Sequence, residues 1–189
     1  MMTEAEWVEL MAKRIRASPT FKNSGLETNT GFRLAYGFEI SDHNHADEPN
    51  TVRTSFETDL AIVQREKDGG WRPRVIIEAK ITRVSTHDAI TYSTKAAAHR
   101  SVYPYLRYGV MLGNRSQLPL PGRLYRHGSQ FDFMFSFRSF QPNDVEMRSF
   151  LKLLRSEVQA SRTMEKLLFE SRKQNRDRYT MLHRKLEVR

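Results

Sequence analysis

Two neighbouring stretches carry the reading of this chain: Ser55–Gln64, SFETDLAIVQ, and Arg74–Ile81, RVIIEAKI. Each predicts a β-strand. In the second, Val75, Ile76 and Ile77 are consecutive, the pattern of a strand buried on both faces. Between the two, Lys67-Asp68-Gly69-Gly70 has the composition of a hairpin turn. Glu78 and Lys80 close the second strand. They are two residues apart and so project from one face, with Ala79 on the other. Pairing through the turn brings Asp59, at the start of the first strand's apolar run, near Glu78. Two carboxylates and an ammonium then converge at one point.

Upstream, residues 3–17 predict a helix. Thr3 and Glu6 have capping-box spacing, and Trp7, Met11 and Ile15, with Val8 and Leu10, form an apolar face. Ser18-Pro19 ends it. Residues 20–31 read as polar turns, Phe32–Ile40 as a strand broken by Gly37, and Ser41–Thr51 as a loop. Downstream, Ser85 to Arg100 predicts a helix with Ser85 or Thr86 as cap and Asp88 in its first turn. Leu106–Leu112 predicts a third buried strand, and residues 114–130, with Pro119, Pro121, Gly122 and Gly128, a long loop. Phe131, Phe133, Phe135 and Phe137 alternate, as in a strand with one aromatic face. From Asn143 onward Phe150, Leu151, Leu154, Val158, Met164, Leu167 and Leu168 recur at helical steps. The expected architecture is α/β: a core over residues 1–140 and a basic helical extension over 141–189.

Composition sets the bounds. The chain has 189 residues, 39% of them hydrophobic, which is enough for a packed core and excludes general disorder. No apolar run reaches the roughly 18–20 residues of a membrane helix. The start, MMTEAEWVEL, lacks the basic and apolar regions of a secretory signal. Cysteine is absent, which removes disulfides, thiol chemistry, zinc fingers and iron–sulfur clusters and fits the cytoplasm. Lys and Arg number 31 against 22 Asp and Glu, a net charge of +9, so a polyanionic partner is expected. Residues 138–189 hold 13 of those bases and 7 of the acids, a net +6.

Charged residues on one face of so apolar a strand are costly unless something binds them. Two carboxylates suit Mg²⁺, a hard cation that takes oxygen ligands and leaves room for water and phosphate. Such a site serves phosphodiester hydrolysis, with the metal polarising the phosphate and Lys80 positioning water or offsetting developing charge. The plainer alternatives are an edge strand with solvated charges or an internal Glu–Lys pair. The apolar run before Glu78, the Asp59 carboxylate and the positive charge together favour the metal site.

Asp59…Glu78-Ala79-Lys80 resembles the PD-(D/E)XK nuclease superfamily, to which many restriction endonucleases belong. Its motif covers about residues 55–113, including the helix and strand of KAAAHRSVYPYLRYGVMLGN, and the element order extends to roughly 3–137. Thr58 stands where the family name has Pro. The resemblance implies a restriction endonuclease-like core with a mixed central sheet flanked by helices. It implies Mg²⁺ on Asp59 and Glu78, with the Ala79 carbonyl as a further ligand, and Lys80 as the catalytic lysine. It also implies a Glu on the first helix, for which Glu6 and Glu9 are candidates. Glu57, on the same strand face as Asp59, is another possible acid.

Lys95 and Tyr92 lie on the helix after the motif, either bordering the site or on a solvated face. Arg100, Tyr103, Arg107 and Tyr108 interleave bases and aromatics, as phosphate-holding and base-stacking groups do, or as core tyrosines do. Arg123, Arg126 and His127 sit in the Gly/Pro-rich segment, where binding residues concentrate. Asp42-His43-Asn44-His45-Ala46-Asp47 spells H-N-H without the spread of an HNH nuclease, and Glu48 stands where a metallo-β-lactamase-like motif needs His. It reads as a solvated loop. The C-terminal helices suit a DNA-grasping arm, a dimer element or packing on the chain's own core. The functional expectation is a Mg²⁺-dependent DNA endonuclease, restriction-like and homodimeric because duplex cleavage needs two sites. The alternatives are a repair, junction or mobile-element nuclease of the same fold, or a nucleic-acid-binding module without catalysis.

Overall fold

The computed structural model describes residues 2–22, 24–116 and 120–170. Thr3 and Glu6 form the capping box that starts α1 (Glu4–Ala17), whose residues Trp7, Val8, Met11, Ala12 and Ile15 are buried. Five strands follow, β1 (Leu26–His43), β2 (Pro49–Arg65), β3 (Trp71–Ile81), β4 (Arg107–Gly113) and β5 (Phe133–Ser136), with α2 (Thr86–Val102) between β3 and β4 and α3 (Gly122–His127) between β4 and β5. The chain continues into α4 (Asp144–Phe169). Residues 171–189 of the expected extension lie outside the described residues.

The strands form one mixed sheet in the order β1-β2-β3-β4-β5. β1, β2 and β3 pair antiparallel; β4 lies parallel to β3, and β5 parallel to β4. The consecutive apolar residues of β3 divide as expected. Val75 and Ile77 enter a core built with α1 and α4 on one face. Ile76 enters a second core with α2 and α3 residues on the other. α4 is no appendage: Met147, Phe150, Leu154 and Val158 complete the first core. Ion pairs tie it to the sheet, Glu165 to Arg72 (2.6 Å) and Arg74 (2.7 Å), and Glu157 to Arg107 (2.6 Å). All three arginines lie at or near the N-terminal ends of β3 and β4.

The structure corrects the sequence reading in three places. β1 begins at Leu26, inside the supposed turn segment, and continues past Gly37, where the register shifts, to His43. The supposed loop Ser41–Thr51 is mostly strand, joined by a turn over residues 44–48. Asn44 Oδ1 accepts from the backbone N–H of Ala46 (2.9 Å) and Glu48 (3.0 Å), and Asp47 takes a positive φ of 61°. Polar composition misled because this ribbon is wet on both sides. Finally, α3 replaces part of the supposed loop, and the aromatic face begins at Phe133. Phe133, Phe135 and Phe137 pack toward one core, while Phe131 packs into the other.

Gly31 lies between the register pairs Thr30↔Leu60 and Phe32↔Thr58, across from Asp59, with φ of 61°. A Cβ there has room, its nearest neighbour being 3.6 Å away, so the cost of a side chain is the left-handed backbone alone. Gly31→Ala is expected to lower stability by about 1–2 kcal/mol. Denaturant unfolding checks this, and an unchanged midpoint would mean that the backbone relaxes to negative φ.

Candidate active site

The β2–β3 ladder ends at Leu60↔Ile77. Continuing that register by one residue sets Asp59 opposite Glu78, at the fork where β2 leaves β3. There the Ala79 N–H, with no β2 carbonyl to meet, donates to Asp59 Oδ2 at 2.7 Å. Thr58, in the position before the acid, is buried and donates its hydroxyl to the Phe32 carbonyl at 2.9 Å, pinning β2 to β1. Asp59 is thus held by backbone on one oxygen.

Glu78 is 1% exposed, on the sheet face covered by α2. The Tyr108 hydroxyl on β4 donates to its Oε1 at 2.5 Å, and Lys95 Nζ on α2 reaches the same oxygen at 3.4 Å. Burial first, and then the neighbouring Asp59 charge, push the Glu78 carboxyl from the ordinary 4.5 up to about 7. Lys95 and Tyr108 pull in the opposite direction and do not offset these effects. Tyr108 is itself fully buried, with the ring of His99 stacked on it at a centroid distance of 5.8 Å. His99 donates from Nδ1 to the Ala35 carbonyl (2.9 Å), which ties α2 to β1 behind the site.

Lys80 does not pair with Glu78. Its Nζ donates to Glu4 Oε1 on α1 at 2.9 Å and lies 5.7 Å from the centre of the Tyr92 ring. Burial opposes its charge, but the hydrogen bonds to Glu4 and Tyr92 outweigh burial and raise its pKa. Its partners therefore favour the ammonium form. In that form it can donate hydrogen bonds and stabilise negative charge.

The acid that α1 supplies to this cluster is Glu4. Glu6 is occupied by the capping box, where it accepts from the Thr3 N–H at 2.7 Å. Glu9 pairs with Arg16 (2.9 Å) and accepts from Thr30 Oγ1 (3.0 Å). The signal for Glu4 is the helical spacing itself, because residue 4 precedes Trp7, Val8 and Met11 by three, four and seven positions. That places it at the N-terminal end of the buried stripe. Glu57 is exposed; its backbone carbonyl, not its carboxylate, meets Lys95 Nζ (3.3 Å).

The candidate nucleic-acid residues divide. Arg100, on α2, pairs with Asp132 just before β5 (2.7 Å), and Arg107, on β4, pairs with Asp132 (2.9 Å) and with Glu157 on α4, so both are engaged in internal ion pairs. Arg123 and Arg126 are exposed on α3 beside α2 and, among the described residues, have no ion pair. Lys95 stands at the carboxylates. His43, His45 and Asp47 are exposed at the tip of the β1–β2 ribbon.

Two adjacent carboxylates, one of them buried and destabilised by the charge of the other, form a hard-oxygen donor set of the kind that a divalent cation neutralises. Among the described residues, no group of three or more His, Asp or Glu side chains gathers into a metal-binding cluster. The donor set at the fork is the carboxylate pair of Asp59 and Glu78.

No protein-family model matches the chain, and no curated protein does. Among solved structures it is similar to one described as the crystal structure of the pre-specific restriction endonuclease BsaWI–DNA complex. The TM-score is 0.45 and the identity 12%, over 87% of this chain and 62% of that one. A likeness of that degree assigns no role to any residue. Among the described residues, no helix is long and apolar enough to cross a membrane.

Proposed function

We propose that this chain is a Mg²⁺-dependent endodeoxyribonuclease that hydrolyses phosphodiester bonds, restriction-like and acting as a homodimer. One observation carries the reading: Asp59 and the buried Glu78 meet at the β2–β3 fork, with Lys95 Nζ 3.4 Å from Glu78 and Lys80, two residues on, held by Glu4 and the Tyr92 ring. Asp59, Glu78 and the Ala79 carbonyl would hold the cation. Bound there, the cation supplies Lewis acidity to the scissile phosphate and a lowered pKa to water.

The rest of the chemistry belongs to the chain. Lys80, kept protonated by Glu4, orients the attacking water and stabilises negative charge on the phosphoryl oxygens. Lys95 draws the phosphate toward the carboxylates. Arg123 and Arg126, exposed beside α2, hold the backbone of the duplex in a salt-dependent manner. The net charge of +9 supports a nucleic-acid substrate. Tyr108 fixes the Glu78 carboxylate through its hydroxyl.

The test is incubation of supercoiled plasmid and long linear DNA with the protein in Mg²⁺ or EDTA. Discrete Mg²⁺-dependent fragments are expected. Nicking or smearing would keep the chemistry but indicate a repair, junction or mobile-element role. Salt-sensitive DNA binding without cleavage of any substrate would replace the nuclease by a binding module.

Removing the hydroxyl that holds Glu78 probes the site without emptying it. Tyr108→Phe loses a hydrogen bond to a charged group, worth about 1.5–3 kcal/mol. The expected result is a rise of about tenfold in the Mg²⁺ concentration that half-saturates cleavage. The turnover at saturating Mg²⁺ should change far less. An unaltered Mg²⁺ titration would show that the hydroxyl does not position the ligand.

A further inference from the structure

β1 and β2 leave the sheet as a two-stranded ribbon. Their register runs to His43↔Pro49, whereas β3 accompanies β2 only as far as Leu60↔Ile77. Every residue from 38 to 53 is exposed. An isolated two-stranded ribbon in water is marginal at best, and each of its strands offers one free edge. Here it also carries Phe38 (55% exposed), Ile40 (59%) and Val52 (52%), large apolar side chains with no core to enter. Phe38 faces Arg53 across the register and Ile40 faces Thr51, so the two apolar residues of β1 share one face of the ribbon.

The charge of the ribbon identifies what covers it. Residues 38–53 hold Glu39, Asp42, Asp47 and Glu48 against Arg53 alone, a net −3 within a chain of +9. Among the described residues, none of these four carboxylates makes an ion pair. Such an arm repels phosphate and so does not face DNA. The complementary surface is in the chain itself. Arg148, Lys152, Arg155 and Lys166 line the exposed side of α4 and, among the described residues, make no ion pair. α4 covers the sheet face opposite the Glu78 side, so this basic stripe is not required at the carboxylates. At its C-terminal end Leu168 (50%) and Phe169 (67%) are exposed, an apolar counterpart to Phe38 and Ile40.

We infer that the β1–β2 ribbon docks on a second copy of this chain, its carboxylates against the basic face of the partner's α4 and its apolar side chains against the end of that helix. By two-fold symmetry each protomer gives one arm and receives one. The inference rests on the dimer of the functional reading and supplies its interface, and its evidence is independent of catalysis.

Sedimentation equilibrium of the full chain tests it, at low and high NaCl. The proteins are the wild type, Phe38→Ser/Ile40→Ser, Asp47→Lys/Glu48→Lys, Lys152→Glu/Arg155→Glu, and the two charge reversals combined in one chain. Wild type is expected to dimerise, more weakly as salt screens the charges. Each double variant should associate at least about tenfold more weakly, and the combined reversal should recover most of the loss. Circular dichroism and melting temperature verify that the variants are folded, as these side chains lie outside both cores. A wild type monomeric at high micromolar concentration overturns the proposal, as does an arm variant that dimerises like the wild type. An arm variant that keeps its dimer but loses DNA affinity also overturns it and makes the ribbon a DNA element. Nicking of supercoiled plasmid, measured in parallel, needs only one site, so failure of the nuclease reading appears there and not in the association data.

Discussion

Asp59→Ala and Lys80→Ala are each expected to abolish Mg²⁺-dependent cleavage while leaving the protein folded and DNA binding largely intact. Loss of one preorganised charge-stabilising donor costs on the order of 10²–10³-fold in rate. That is the floor expected for Lys80→Ala, because the ammonium is held in place by Glu4 rather than by the carboxylates it would serve. For Asp59→Ala the loss should be larger, about 10³-fold or more, since half of the carboxylate pair disappears. Asp59 also accepts from the Ala79 N–H, so Asp59→Asn belongs in the series. Asn can still accept that bond through its amide oxygen but lacks the charge. Equal loss in Asp59→Asn and Asp59→Ala assigns the effect to charge; rescue by Asn assigns it to the strand fork. Glu4→Gln tests the anchor, because a neutral partner frees Lys80 to move while the Thr3–Glu6 capping box stays in place. Cleavage that survives in Lys80→Ala at wild-type rate would remove Lys80 from the chemistry.

Glu78→Gln should have opposite effects on stability and activity. A carboxyl whose folded pKa lies above its unfolded value binds protons more tightly when folded. Stability is then full below the unfolded pKa, near 4.5, and falls as pH rises to about 7. Above that the whole cost remains. A shift of this size corresponds to on the order of 3 kcal/mol, and at 1% exposure solvent does not screen it away. Glutamine keeps the shape and can still accept from Tyr108 without the charge. In EDTA at pH 8 Glu78→Gln is therefore expected to melt higher than wild type by roughly 5–10 °C, and at pH 4 the two should coincide. Added Mg²⁺ should raise the melting temperature of the wild type, which has both carboxylates, and not that of the variant, which should be inactive. A variant that melts lower than wild type at pH 8 would mean that Lys95 and Tyr108 already compensate the charge in full.

The likeness between this site and its sequence pattern has physical limits. Alternation and apolar runs depend on which face of a strand meets a core, and these predicted β3, β4 and the facing of Glu78 correctly. They failed on the ribbon, where neither face meets a core and Asn44–Glu48 looks the same as any polar loop. The acid on α1 was legible in principle, since helical spacing puts Glu4 on the buried stripe, whereas the resemblance offered Glu6 and Glu9 as candidates. Arg100 and Arg107 had the composition of phosphate-binding residues. Asp132 and Glu157, 32 and 50 positions distant respectively, turn them into internal ion pairs. No local pattern announces a partner that far along the chain.

What local sequence determines here is therefore what short-range sterics and solvent transfer control: the capped helices, the doubly buried strand, the charged pair at its end and the excess of positive charge. Long-range packing decides the rest. It sets Asp59 against the Ala79 N–H and gives Lys80 to Glu4. It also buries Glu78 beneath α2 and projects an acidic ribbon beyond the sheet. Each of these depends on which elements cross at the fork between β2 and β3, and that is a property of the folded chain because the groups that meet there are remote in sequence.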